Sequence, residues 1–155
     1  MNLPTMTSEF PSGAGAVDAA AGLGIVAAQP LLLQIDADAA GGNVSVLAGA
    51  VSTCHVVRVA GLAAARRALT LDCYDLIVLD PGAAGELASI VLLDTLPHKN
   101  QTTPVLFYCD YAPSEACRDR ANSLLLKDAT PPATLRATIG ALLGIPAAAS
   151  PCATP

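Results

Sequence analysis

The stretch "YDLIVLDPG", residues 74–82, decides how the rest of the chain is read. Leu76, Ile77, Val78 and Leu79 form an unbroken apolar run, opened by Asp75 and closed by Asp80, Pro81 and Gly82. A short apolar run that stops at turn-forming residues reads as a strand buried on both faces, the kind that parallel sheets use. The carboxylate at its end is the anomaly. Taken alone, Asp80 is a strand-end residue capping a turn through Pro81 and Gly82.

Working outward, similar runs recur. Leu31–Ile35 is an apolar strand ending in Asp36, Cys54–Val59 a second, Val105–Cys109 a fourth after Pro104, and Ser123–Lys127 a fifth. The segments between them have helical period. Val44–Val51 is a weak helix beside Gly41, Gly42 and Gly49. Leu62–Leu71 places Leu62, Ala65 and Leu69 on one face, and Leu87–Leu96 is marked on one side by Leu87, Ile90, Val91 and Asp94. Pro113–Ala121 is a short helix. Thr130 is expected to cap the last helix, with Pro131 at its first position and Leu135, Ile139 and Leu142 as its buried stripe. Five strands alternating with five helices predict an α/β, doubly wound, five-stranded parallel sheet with helices on both faces. In such sheets ligands bind at the carboxyl ends of the strands. Asp36, Asp80 and Lys127 all stand at such ends.

Composition narrows the function. The 155 residues suit one domain. Aromatics are 3% and tryptophan is absent, so the core rests on Leu, Ile and Val. A net charge of −5 with scattered basic residues excludes a nucleic-acid footprint, and Arg66-Arg67 reads as a solvated helix face. Cysteines stand at 54, 73, 109, 117 and 152, with His55 and His98 the only histidines. No C-x-x-C or zinc spacing occurs, so free thiols in a reducing, cytoplasmic setting are expected. No secretory signal is evident. The apolar segment 17–35 is broken by Asp18, Gln29, Pro30 and Gln34, which argues against a membrane span. Residues 1–28 and 146–155, rich in small residues, read as flexible arms flanking a domain at 29–145.

Two acids and a lysine brought to one rim have a definite chemistry. Neighbouring carboxylates repel unless a cation intervenes. A divalent ion such as Mg²⁺, held by one or two carboxylates and water, is one remedy, and an ammonium group can offset the remaining charge. At this point the chain resembles the receiver domain of two-component response regulators. The resemblance spans about residues 30–144 and is carried by "LLLQIDAD", "YDLIVLDPG", "TPVLFYCD" and "LLLKDATPPATLRATIGALL". Asp36 and Asp80 lie 44 residues apart, and Asp80 and Lys127 lie 47 apart, as the family's spacing requires.

The resemblance implies a flavodoxin-like strand order of 2-1-3-4-5. It also implies Asp80 as phosphoacceptor, Lys127 as the family's lysine, and Mg²⁺ held by Asp36 and Asp80. The partners it implies are a histidine kinase or phosphotransfer protein and a downstream protein target. With about a dozen residues after Leu143, the chain is expected to act through protein contacts.

Departures from the pattern are as informative. The family's second adjacent acid is Ala37 here. Asp38 either substitutes as a metal ligand or caps the first helix, and weakened magnesium affinity follows. The Ser or Thr at the end of strand four is Cys109, a poorer hydrogen-bond donor. The switch aromatic of strand five is Leu124, and 18 residues between Cys109 and Lys127 imply a clipped fourth helix.

Two readings stay open: a phosphoacceptor on Asp80, or a phosphorylation-independent interaction module on the same fold. The chain is not expected to be an enzyme. A small Mg²⁺-dependent phosphatase ranks low because no D-x-D stands at Asp80. "GLGIVA", residues 22–27, matches a dinucleotide pattern without a preceding strand and is set aside. Tyr108 and Tyr111, flanking the end of strand four, shield the pocket, bind a partner or pack.

Overall fold

The computed structural model describes residues 28–36 and 53–145. The expected helix at 44–51, residues 1–27 of the arm expected over 1–28, the tail at 146–155, Asp38 and Cys152 lie outside the described residues. Five strands form one parallel sheet in the order β2-β1-β3-β4-β5, as the resemblance implies. They are β1 (Leu31–Asp36), β2 (His55–Ala60), β3 (Leu76–Leu79), β4 (Val105–Cys109) and β5 (Ser123–Leu126). The described helices are α1 (Gly61–Leu71), α2 (Pro81–Ala84), α3 (Glu86–Asp94), α4 (Glu115–Arg118) and α5 (Pro132–Leu142).

Alternation along the strands divides the core in two. Leu33, Ile35, Ile77, Leu79, Val105 and Phe107 face one way and pack with Ala65 and Leu69 of α1 and Leu92 of α3. Leu32, Leu76, Val78 and Leu106 face the other way and meet Leu135 and Ile139 of α5. This period-two division is what a strand buried on both faces requires. All four residues of β3 are buried, which explains the unbroken run that marks it in the sequence.

The acids that bracket β3 have separate local duties. Asp75 accepts a hydrogen bond from the backbone N–H of Leu31 at 2.8 Å and so ties the start of β1 to the loop before β3. A buried polar clamp sits at the same end of the sheet. Asn100 donates to the carbonyls of Leu69 (2.8 Å) and Asp72 (2.9 Å), while its Oδ1 accepts from the backbone N–H of Tyr74 at 2.9 Å and from Thr103 Oγ1 at 3.3 Å. One side chain thus joins the end of α1 to the entry of β3.

Several expectations are corrected. The loop after Asp80 forms the short helix α2, and Gly85, at φ +95°, turns the chain into α3. In α3 the buried residues are Ser89 and Leu92, while Leu87 is 77% and Val91 47% exposed. Of the predicted stripe only Ile90 packs against the core, because the helix begins at Glu86 and turns Ser89 inward, its Oγ donating to the carbonyl of Gly85 at 2.7 Å. Leu87 and Val91 instead line a groove with Leu71, Arg66 and Arg67. Asp94 lies outside the apolar side, in a forked ion pair with Arg120. The helix expected over 113–121 is clipped to α4. Thr130 caps nothing: Lys127–Ala129 forms a 3₁₀ turn, which moves the start of α5 to Pro132, with Pro131 as N-cap and no side-chain cap. Proline still occupies the first helical position, where its missing N–H costs nothing. Leu142 is only partly buried.

Candidate functional site

The opposite, carboxyl rim of the sheet gathers the charged residues. β3 ends at Leu79, so Asp80 is the first residue past it and the N-cap of α2. Its Oδ1 accepts hydrogen bonds from the backbone N–H groups of Gly82 (3.0 Å) and Ala83 (3.2 Å). Pro81 at the first helical position gives up no useful donor. The bland reading of Asp80 as a turn cap is therefore correct, but it uses only one oxygen. Oδ2 accepts from Lys127 Nζ at 2.8 Å. Asp80 is 6% exposed, so this carboxylate is buried with three donors, the condition under which a buried charge is tolerated.

Lys127 follows the last residue of β5 and reaches back across the strand ends. Its ammonium contacts Asp80 and, at 3.3 Å, Asp110, and lies 5.9 Å from the centre of the Tyr108 ring. Burial pulls the lysine pKa down, but hydrogen bonding and charge from Asp80, joined by Asp110, outweigh it and leave it raised. The group is a cation across the ordinary pH range. A cleft of about 260 Å³ opens here, with Asp36, Asp80, Asp110, Asp128, Lys127 and Tyr108 among its lining residues. The strand order accounts for the meeting, because β1 and β3 are hydrogen-bonded neighbours with Ile35 paired to Leu79. Asp36 and Asp80 are each the next residue along.

Asp36 shares the cleft but carries its own cation. Arg58 donates to its Oδ2 from Nη2 at 2.7 Å and from Nε at 3.0 Å, and Gln34 Nε2 donates to the same oxygen at 3.0 Å. Arg58 and Asp110 are residues that reading the sequence overlooks. For Arg58 the signal was there: an arginine inside the apolar strand "HVVRVA" needs a partner for its charge. Nothing marks Asp110 except its place directly after Cys109.

Cys109 is fully buried at the end of β4, and its thiol is pushed up to about 12, first by burial and then by the charge of Asp80. It is a neutral thiol at neutral pH. Cys54, Cys73 and Cys117 are also free, as expected. Tyr111 is 63% exposed and stands over Gly82, where an added Cβ would come within 3.0 Å of its ring. His55 is exposed at the start of β2, paired with Leu31 at the amino ends of the strands, and His98 is exposed in a 3₁₀ turn beside Asn100; neither lines the cleft.

The described residues fit a divalent metal poorly. Asp36 Oδ2 already accepts three N–H bonds, and among the described residues no group of three or more His, Cys, Asp or Glu side chains is placed to hold an ion.

Comparison with solved structures decides the fold family. A response regulator from Thermotoga maritima superposes with a TM-score of 0.63 at 16% identity, covering 75% of this chain and 98% of its own. The chain has the receiver-domain fold. The receiver domain of a sensor histidine kinase from Pseudomonas aeruginosa, which has a magnesium ion coordinated in its active-site cleft, gives 0.60 at 20% identity over 76% and 99% of the two chains. A CheY-like receiver domain from Methylobacillus flagellatus gives 0.59 at 15% identity over 73% and 98%. No family model and no curated protein matches the sequence. The chain thus shares the receiver fold with proteins to which it is only 15% to 20% identical. Among the described residues, no helix is long and apolar enough to cross a membrane.

Proposed function

We propose that residues 29–145 form a receiver-like signalling domain of a two-component phosphorelay, in which Asp80 accepts a phosphoryl group. The donor is a phosphohistidine on a histidine kinase or phosphotransfer protein, and the signal passes on through contacts with a downstream protein. The observation that carries this reading is the Lys127 ammonium 2.8 Å from Asp80 Oδ2 in an open cleft at the strand ends.

In the transfer, a carboxylate oxygen of Asp80 forms a bond to phosphorus as the phosphorus–nitrogen bond of the donor breaks, and the imidazole leaves with the bonding pair. Such a transfer needs positioning and neutralised charge more than covalent help. The backbone N–H groups of Gly82 and Ala83 fix the orientation of Asp80, and Lys127 is placed to follow negative charge onto the phosphoryl oxygens. Cys109, in the position of the family's Ser or Thr, offers a neutral but weak donor. On this reading the chain is a phosphoacceptor rather than an enzyme and works in the cytoplasm. Magnesium held by Asp36, Asp80 and Asp38 would first have to displace Arg58.

The second reading is a phosphorylation-independent interaction module. It is favoured by the Arg58 contact on Asp36 and by the buried thiol at Cys109. Beryllofluoride, a phosphoryl mimic, separates the two when added with and without Mg²⁺ while amide shifts are followed by NMR. Shifts clustered around residues 80–83 and 127 that vanish in Asp80→Asn support phosphotransfer. An unchanged spectrum under both conditions supports the module.

A further inference from the structure

We infer that Arg58 takes the place of a divalent cation at Asp36, closing the first carboxylate of the cleft to metal with an internal ion pair. This rests on the cleft identified above but not on phosphotransfer itself.

The placement follows from strand register. Gln34 of β1 pairs with Arg58 of β2, and Asp36 pairs with Ala60. Side chains two residues apart along a strand share a face. Gln34, Asp36 and Arg58 therefore project from the same side of the sheet, and a guanidinium two residues back along the neighbouring strand reaches forward to the carboxylate. The pair is largely shielded, with the Arg58 side chain 17% and the Asp36 side chain 24% exposed.

The geometry then works against a metal. Two guanidinium N–H groups and the Gln34 amide converge on a single oxygen, at 2.7, 3.0 and 3.0 Å. Magnesium demands near-octahedral ligands at roughly 2.0–2.1 Å. An ion bound to that oxygen would have to break these bonds and sit beside a fixed positive charge. Arginine never gives up its proton to make room. The sequence adds a second obstacle, because Ala37 removes the adjacent acid. The two strand-end acids each already hold a cation, Arg58 on Asp36 and Lys127 on Asp80. Arg58 is thus a positioning residue that sets the cleft's metal affinity.

The test uses Mn²⁺ as the probe on the full chain, reading free ion by electron paramagnetic resonance and the site by paramagnetic broadening of amide signals. Wild type should bind weakly, with no change in Asp36→Asn. Arg58→Gln, which keeps a hydrogen-bond donor but no charge, should bind on the order of tenfold more tightly, the scale on which groups around metal ligands act, with broadening centred on residues 36 and 80. Arg58→Lys, which keeps the charge and loses the fork, should fall between, and carries the test alone if Arg58→Gln does not fold. Tight binding by wild type that Asp36→Asn abolishes would overturn the inference. So would an Arg58 variant that folds and binds no better than wild type. Neither readout involves phosphoryl transfer, so a failure of the relay reading in the beryllofluoride experiment leaves this result standing, and the reverse.

Discussion

Lys127 Nζ lies 2.8 Å from Asp80 Oδ2, joining two residues 47 positions apart in the chain. Asp80 is buried, so the ammonium matters for folding as well as for any chemistry at the site.

Lys127→Met should therefore lower stability by about 1–3 kcal/mol, the cost of leaving a buried charged acceptor short of a donor. Asp80→Asn combined with Lys127→Met should cost less than the two singles added, because the residues act as one unit. The pH dependence has a definite sign. The lysine pKa is raised in the folded state. Its contribution is whole below the unfolded lysine value of about 10.4 and is lost as pH rises through the higher folded value. Urea unfolding of both proteins should show a gap that stays level from neutral pH to about pH 10 and narrows above it. A gap that already narrows between pH 7 and 9 would contradict the ion pair.

Cysteine labelling reads the interior around the cleft. Cys73 is exposed, whereas Cys109 and Cys117 are buried with raised pKa values, both chiefly through burial. Iodoacetamide at mildly alkaline pH should modify Cys73 while leaving Cys109 and Cys117 untouched until urea unfolds the chain, as peptide mass spectrometry would show. Because the Cys109 thiol is pushed up to about 12, the folded state resists ionisation while the unfolded chain does not. Its contribution to stability is present below about pH 8.5 and declines as pH rises toward the folded value. Cys109→Ala should lack that part of the decline in alkaline urea titrations.

Asn100 joins the end of α1 to the entry of β3 with all its hydrogen bonds inside the protein. Asn100→Ala strands two carbonyls and one N–H, and should cost roughly 2–4 kcal/mol in urea unfolding. Asn100→Asp keeps the acceptor but loses both donors and buries a charge. It should be the worse substitution at neutral pH and recover partly as acid protonates the new carboxyl group. Equal stability of the Asp variant and wild type at neutral pH would remove the clamp from this account.

Sequence by itself determined the strands, the helices that follow β2 to β5 and the rim on which Asp36, Asp80 and Lys127 fall. Burial leaves a period in the residues, and strands buried on both faces leave the plainest one. β3, as Leu76–Leu79 between two acids, is legible for that reason. Periodicity is weaker for α3, where the apolar residues are spread around the helix and the chain offers two possible faces. Only packing turned Ser89 and Leu92 inward and left Leu87 and Val91 outside. The sequence brought Lys127 to the rim of Asp80, but which cation Asp36 meets, and that Asp110 shares the lysine, were decided by tertiary structure. Arg58 finds Asp36 because strand register sets Gln34 opposite Arg58, and Asp110 shares Lys127 because β4 and β5 end side by side. A linear pattern records which residues are buried or exposed. Which carboxylate meets which cation depends on distances across strands, and those exist only once the sheet has formed.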